Sequence, residues 1–304
     1  MEEQERKKIT FKDIKAKQQE DLKSRKIRNF IYRKFSTPFT YLFFRLNVPS
    51  PAVSILNFFP LLIGYYLMSI GTGYSMIFGL LFFVLYKIWD CSDGELARIQ
   101  NPRTMEGQFR NMEGAYFDSV AHLFYPVCIG MGFGIGLYRM YNSSLYFILG
   151  VALSILFVLE YGMMEFAKSY FRRGLIDRKI KVVVSDKEYQ NEFVKILDAG
   201  YSPLKRNILE KLFGIYPFQG LFYLGEFVLP ISIALILLEP YANAYLAPFI
   251  SLKNYNAGLL PLYLILVVFV KSIWTVSFVY RMYKRKYITR YLDDVQNNKF
   301  RVYK

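Results

Sequence analysis

The chain is poor in the residues that build metal fingers and disulfide frameworks. Its 304 residues include two cysteines, one histidine and two tryptophans. Cys91 and Cys128 give neither a disulfide scaffold nor a Cys-His zinc spacing, and both read as free thiols. Acidic residues are also scarce, with 24 Asp and Glu against 39 Lys and Arg and a formal net charge of +15. The opening stretch is strongly polar and carries no short apolar core near Met1, so a cleavable signal peptide is not expected.

Set against these absences is an abundance of apolar sequence, 54% hydrophobic and 18% aromatic. A nucleic-acid binder would explain the charge but not the apolar runs, which could not remain in water. A membrane protein with basic flanks explains both, because anionic leaflets attract Lys and Arg while lipid tails accept apolar helices. We therefore expect membrane lipids as partners and no nucleic acid.

Six apolar segments approach or reach the roughly 20 helical residues needed to cross a bilayer. They lie near 51–70, 74–89, 114–136, 145–166, 218–238 and 258–280. The segment "TPFTYLFFRLNV" before the first is too short to span and reads as an amphipathic helix at the interface. The expected fold is thus an all-α integral membrane protein with six transmembrane helices and an N-terminal interfacial amphipathic helix. It divides into a basic cytoplasmic arm, 1–36, and a membrane domain, 37–304, with a cytoplasmic insertion near 167–217. In that insertion "SDKEYQNEFVKIL" predicts a helix with Ser185 as N-cap.

The connections alternate in charge. The N-terminal arm, the connection after the fourth segment and the C-terminal tail are dense in Lys and Arg. "GTGYS", "YRMYNSS" and "EPYANAYLAPFISLKNYNAG" hold almost none. The positive-inside rule then places both termini and the stretch from Asp90 to Glu113 in the cytoplasm, and we expect the plasma (inner) membrane.

At the cytoplasmic ends of the second and third segments the chain reads "DCSDGELAR", Asp90 to Arg98, and "GAYFDSVAH", Gly114 to His122. On helices Asp90 and Asp93 share a face, and so do Asp118 and His122. Carboxylates converging at membrane depth are costly unless a cation joins them, and a hard divalent ion suits oxygen donors. Gly94 and Ala97 keep one helix surface low beside the Arg98 guanidinium, which suits a phosphate-bearing nucleotide.

These residues resemble the CDP-alcohol phosphotransferases (CDP-alcohol phosphatidyltransferases), whose motif is D-x-x-D-G-x-x-A-R, eight residues, then G-x-x-x-D-x-x-x-D. The first half matches at every defined position: Asp90, Asp93, Gly94, Ala97 and Arg98. The resemblance implies transfer of a substituted phosphate group from a CDP-alcohol, such as CDP-diacylglycerol, to an acceptor hydroxyl, with release of CMP, in phospholipid or related biosynthesis. It implies Mg²⁺ or Mn²⁺, one or two ions, held by Asp90, Asp93, Asp118 and His122. Gly94, Ala97, Arg98 and Gly114 would then border the cytidine diphosphate, and Asp118 and His122 would be catalytic. It also implies a homodimer.

Two departures stand out. Residues 99–113 separate Arg98 from Gly114, seven more than the family spacing, and "MEGQFRN" followed by "MEGAYFD" reads as a heptad written twice. Seven residues make about two helical turns, so an insertion of that length nearly preserves the facing of the helix beyond it. Gly107 stands at the family spacing but would put Asn111 and Ala115 where aspartates belong, so Gly114, Asp118 and His122 are the better chemical match. The second departure is His122 itself in place of the fourth aspartate. An imidazole, with an unperturbed pKa near 6.5, can take a proton or ligate a metal but supplies no fourth negative charge. A second hard cation should therefore bind less tightly, or Mn²⁺ be favoured over Mg²⁺. Two other readings stand beside the enzyme: a silent relative that binds nucleotide or lipid, and a divalent-cation transporter. Ion passage gives no reason for Ala97 and Arg98.

Elsewhere, Glu226 and Lys271 fall at similar depth in the fifth and sixth segments and predict an ion pair, with Glu160 nearer the polar end of the fourth. Gly130, Gly132, Gly134 and Gly136 predict close helix packing. Arg172, Arg173, Arg178 and Lys179 predict contact with anionic headgroups.

Overall fold

The computed structural model describes residues 10–12, 14, 26–100, 112–177, 228–250 and 258–285. Among them every regular element is helical. In chain order they are α1 (Lys26–Arg45), α2 (Ser50–Leu56), α3 (Phe58–Ile70), α4 (Gly73–Gln100), α5 (Met112–Tyr141), α6 (Ser144–Asp177), α7 (Leu229–Ile250) and α8 (Leu259–Arg285).

Among the described residues five stretches are long and apolar enough to cross a membrane: Ser50–Ile70, Gly73–Gln100, Tyr116–Tyr141, Ser144–Met163 and Leu259–Val276. Large apolar side chains also face outward, among them Phe59, Leu62 and Tyr66 on α3. Together these mark a membrane protein. The fifth expected segment, 218–238, lies partly outside the described residues, and its described part belongs to a shorter apolar stretch, Leu229–Glu239.

Several boundaries differ from expectation. Of the segment read as an interfacial helix, residues 37–45 form the second half of α1, which begins at Lys26 inside the arm, and residues 46–48 follow it. Nothing between Lys26 and Phe35 breaks a helix, and Pro38 stands inside α1 without ending it. α4 and α6 continue beyond the apolar segments into polar sequence, so the whole "DCSDGELAR" motif is helical. α7 likewise continues through Glu239 and Pro240 to Ile250, where a connection was expected. The predicted helix after Ser185 lies outside the described residues.

Local causes are visible at the breaks. Pro60 has no N–H to give the carbonyl four residues earlier, that of Leu56, and the first span is interrupted there, at Asn57. Gly71 ends α3 in the left-handed region with φ 80°. A Cβ on Gly71 would lie 2.6 Å from the Gly136 carbonyl oxygen, so geometry and space both demand glycine. Thr72 and Ser75 then cap α4 reciprocally: the Ser75 N–H donates to Thr72 Oγ1 (3.3 Å) and the Thr72 N–H to Ser75 Oγ (3.1 Å).

The chain divides into two compact units, residues 1–154 with 224–263, and residues 155–223 with 264–304. In the first, glycines form the seams between helices. A Cβ on Gly64 would sit 3.0 Å from the Gly79 carbonyl oxygen, joining α3 to α4. Gly132 and Gly136 of α5 rest on Met68 of α3, while Gly130 and Gly134 rest on Gly150 and Ser154 of α6. The expected packing role of this glycine run therefore holds. α1 is fastened to α4 through buried Glu95, which accepts from Ser36 Oγ (2.9 Å) and Thr40 Oγ1 (2.7 Å). Ile14, Phe43, Phe44, Val53, Leu96 and Ile99 close the apolar core beside it. Glu239 of α7 accepts from the Tyr141 hydroxyl (2.7 Å) and from the Leu260 N–H in the first turn of α8 (3.2 Å).

In the second unit Lys271 of α8 donates to Glu160 of α6 at 2.6 Å. The partner expected from depth, Glu226, lies outside the described residues. Glu160 sits on the inward side of its helix, a facing that depth along the helix does not specify.

Candidate metal centre

α4 carries Asp90 and α5 carries Asp118 and His122. Asp118 and His122 are one turn apart on α5, which makes them neighbours on its surface. His122 Nε2 lies 3.4 Å from Asp90 Oδ1 and 3.5 Å from Asp118 Oδ1. One donor atom from each residue falls within 4.8 Å of the other two. Ligands held by one Mg²⁺ at about 2.1 Å can be at most about 4.2 Å apart, so a small contraction suffices to close this set around an ion. Two carboxylates and an imidazole are donors that Mn²⁺ and Mg²⁺ accept.

Asp93 sits differently. It is buried, and its Oδ2 accepts from Ser54 Oγ at 2.9 Å and Asn57 Nδ2 at 3.5 Å. It stands outside the group of three. Ser54 lies in the last turn before the interruption of the first span and Asn57 stands at it, so the break positions two donors against this carboxylate.

The second surroundings of the group come from residues that the motif does not name. The Tyr86 hydroxyl is 3.3 Å from His122 Nδ1. Lys87 Nζ is 3.5 Å from Asp90 Oδ2. Tyr86 and Tyr125 stack with centroids 4.8 Å apart, and the Lys87 ammonium lies over both rings. Tyr86 and Lys87 precede Asp90 by four and three residues, and Tyr125 follows His122 by three. Stepping one helical turn from each motif residue would have found all of them.

Gly94 leaves an open surface. A Cβ there would meet Arg98 Nη1 at 3.6 Å and nothing nearer, which is ordinary contact. Packing among the described residues therefore does not require glycine there. Ala97, Arg98 and Gly114 are each half-buried, the first two on α4 and the third in the opening turns of α5. Gly107 and Asn111 lie outside the described residues.

Fold and site together define a polytopic helical membrane protein with a carboxylate–imidazole cluster shared by two adjacent helices. The chain matches no protein-family model, no curated protein and no solved structure.

Proposed function

We propose that the chain is a metal-dependent CDP-alcohol phosphotransferase with six spans. In this reading α1 lies along the interface, both termini are cytoplasmic, and the centre faces the cytoplasm of the plasma (inner) membrane. The observation that carries the proposal is the convergence of Asp90, Asp118 and His122 on the two helices that bear the motif halves.

In this reading Asp90, Asp118 and His122 hold one Mg²⁺ or Mn²⁺, with Asp93 behind them. Such an ion, when bound, offsets pyrophosphate charge and steadies the leaving CMP. The bare backbone at Gly94 admits the nucleotide closely, and the Arg98 guanidinium takes phosphate oxygens. The acceptor oxygen forms a bond to the phosphorus carrying the alcohol, the anhydride bond to CMP breaks, and the acceptor proton passes to a base on α5. With Nδ1–H directed at Tyr86, His122 Nε2 presents a lone pair toward Asp90 and Asp118. One lone pair serves one purpose at a time, and the Tyr86 partner is the arrangement that holds a metal-ligating imidazole. Asp118, with 37% of its side chain exposed against 15% for Asp90, is the carboxylate an acceptor can reach. It is the base in this scheme.

The test is CMP release by the purified chain from CDP-diacylglycerol with a panel of hydroxyl acceptors, in Mg²⁺ and in Mn²⁺. Asp90→Asn and Asp118→Asn should each lower the rate by about 10²-fold or more. Cation flux into liposomes without CMP release would instead favour a transporter.

A further inference from the structure

We propose that Lys87 is a built-in cation that takes the place of a second divalent ion, so that this centre binds one ion and not two. The inference rests on the metal-centre reading above and deepens it.

Charge sets the frame. Asp90 and Asp118 of the group, with Asp93 behind them, supply at most three negative charges, neutral His122 supplies none, and the Lys87 ammonium offsets one. The remainder matches one divalent cation. A centre with four aspartates and no lysine would match two.

Geometry points the same way. A carboxylate that bridges two ions with one oxygen on each needs both of its oxygens. Asp90 has divided its own, with Oδ1 toward His122 Nε2 at 3.4 Å and Oδ2 toward Lys87 Nζ at 3.5 Å. Asp93, the other α4 carboxylate, has Oδ2 held by Ser54 and Asn57. Each α4 aspartate thus has one oxygen turned to a protein donor.

The ammonium is also kept in place. Only 17% of the Lys87 side chain is exposed. Its Nζ lies 4.5 Å from the Tyr125 ring centroid and 4.9 Å from that of Tyr86. Stacked faces of two aromatic rings attract a cation and disfavour its swing into water. A divalent ion brought to about 5 Å from this charge is weakened by on the order of tenfold even at the dielectric constant of water, and by more in a partly buried site.

The experiment titrates Mn²⁺ alone into the full chain in detergent and counts bound ions by electron paramagnetic resonance. Wild type and Lys87→Arg should bind one ion per chain. Lys87→Met, which keeps the stem packed on the tyrosines, should bind two, the second at least about tenfold more tightly than in wild type. The two ions should give the broadened signal of a coupled pair about 3.5–4 Å apart. Lys87→Gln gives a second neutral variant should Lys87→Met not fold, and thermal unfolding reports folding of each. Two ions on wild type, or a single ion on a folded neutral variant, overturns the role of Lys87 and leaves the metal centre standing. No ion on folded wild type removes the metal centre itself, and this inference with it.

Discussion

The Tyr86 hydroxyl of α4 stands 3.3 Å from Nδ1 of His122 on α5, on the far side of the imidazole from Asp90 and Asp118. Each ring nitrogen of the histidine therefore has an assigned neighbour. When this hydroxyl accepts from Nδ1–H, Nε2 is left to the ion and the imidazole becomes more basic toward it. Tyr86→Phe keeps the stacked ring and removes only this contact. Mn²⁺ affinity should fall about tenfold, read from a titration of the purified protein, with no comparable change in unfolding temperature. Unchanged affinity would mean that Tyr86 merely fills space.

His122 variants separate ligation from silence. An imidazole ligand replaced by methyl loses one donor, so His122→Ala should bind Mn²⁺ more weakly and release CMP at least about 10²-fold more slowly. His122→Asp restores a carboxylate and should retain turnover in Mg²⁺, the harder ion. Turnover in His122→Asp alone, with none in wild type, would identify a natively silent binder.

Glu95 lies within the motif yet faces α1 and not the centre, accepting from Ser36 and Thr40. Without this carboxylate the Ser36 and Thr40 hydroxyls fall back on the carbonyl oxygens of Arg33 and Ser36, each 3.0 Å away, and two hydrogen bonds to a charged group are lost at a cost of about 1–3 kcal/mol. Glu95→Ala should lower stability by about that amount, measured by unfolding in detergent, and Glu95→Gln by less. Mn²⁺ binding should persist in both, which would set Glu95 apart from Asp90.

Two glycines should behave in opposite ways. A Cβ on Gly134 would lie 2.9 Å from the Gly150 backbone, where neither helix can yield by rotating a side chain. Gly134→Ala should cost about 1–3 kcal/mol. At Gly162 nothing among the described residues lies within 4 Å of the added atom, so Gly162→Ala should be neutral or gain up to about 1 kcal/mol from helix propensity. Equal effects at the two sites would argue against the α5–α6 seam.

These cases also mark what could be read from the sequence. Helical spacing put Asp118 beside His122, and the glycine alternation announced a close seam, because both are properties of one helix repeated every turn. The meeting of Asp90 with that pair required only that two adjacent helices be antiparallel. The separation of Asp93 from the group was not legible. It depends on Ser54 and Asn57, some three dozen residues away, being turned inward where Pro60 interrupts the first span. Lys87 escaped notice for a different reason. A lone lysine beside tyrosines looks like any snorkelling side chain until its distance to Asp90 is known.

The same limit governed the ion pair in the spans. Depth along a helix can be counted at about 1.5 Å per residue, and it matched Lys271 with Glu226. Facing cannot be counted that way across a variable packing, and Lys271 donates to Glu160 at 2.6 Å. Phe157 and Trp274 lie against the same ammonium, with ring centroids at 5.0 and 5.8 Å. Both side chains of the pair are largely hidden, 5% and 14% exposed, so cutting either one strands the other charge. Lys271→Met and Glu160→Gln should each destabilise by about 3–5 kcal/mol, and the double variant should recover most of that loss. The measurement is a double-mutant cycle in detergent unfolding. Strictly additive losses, or a recovery obtained with Glu226→Gln in place of Glu160→Gln, would return the pairing to the one that depth alone suggested.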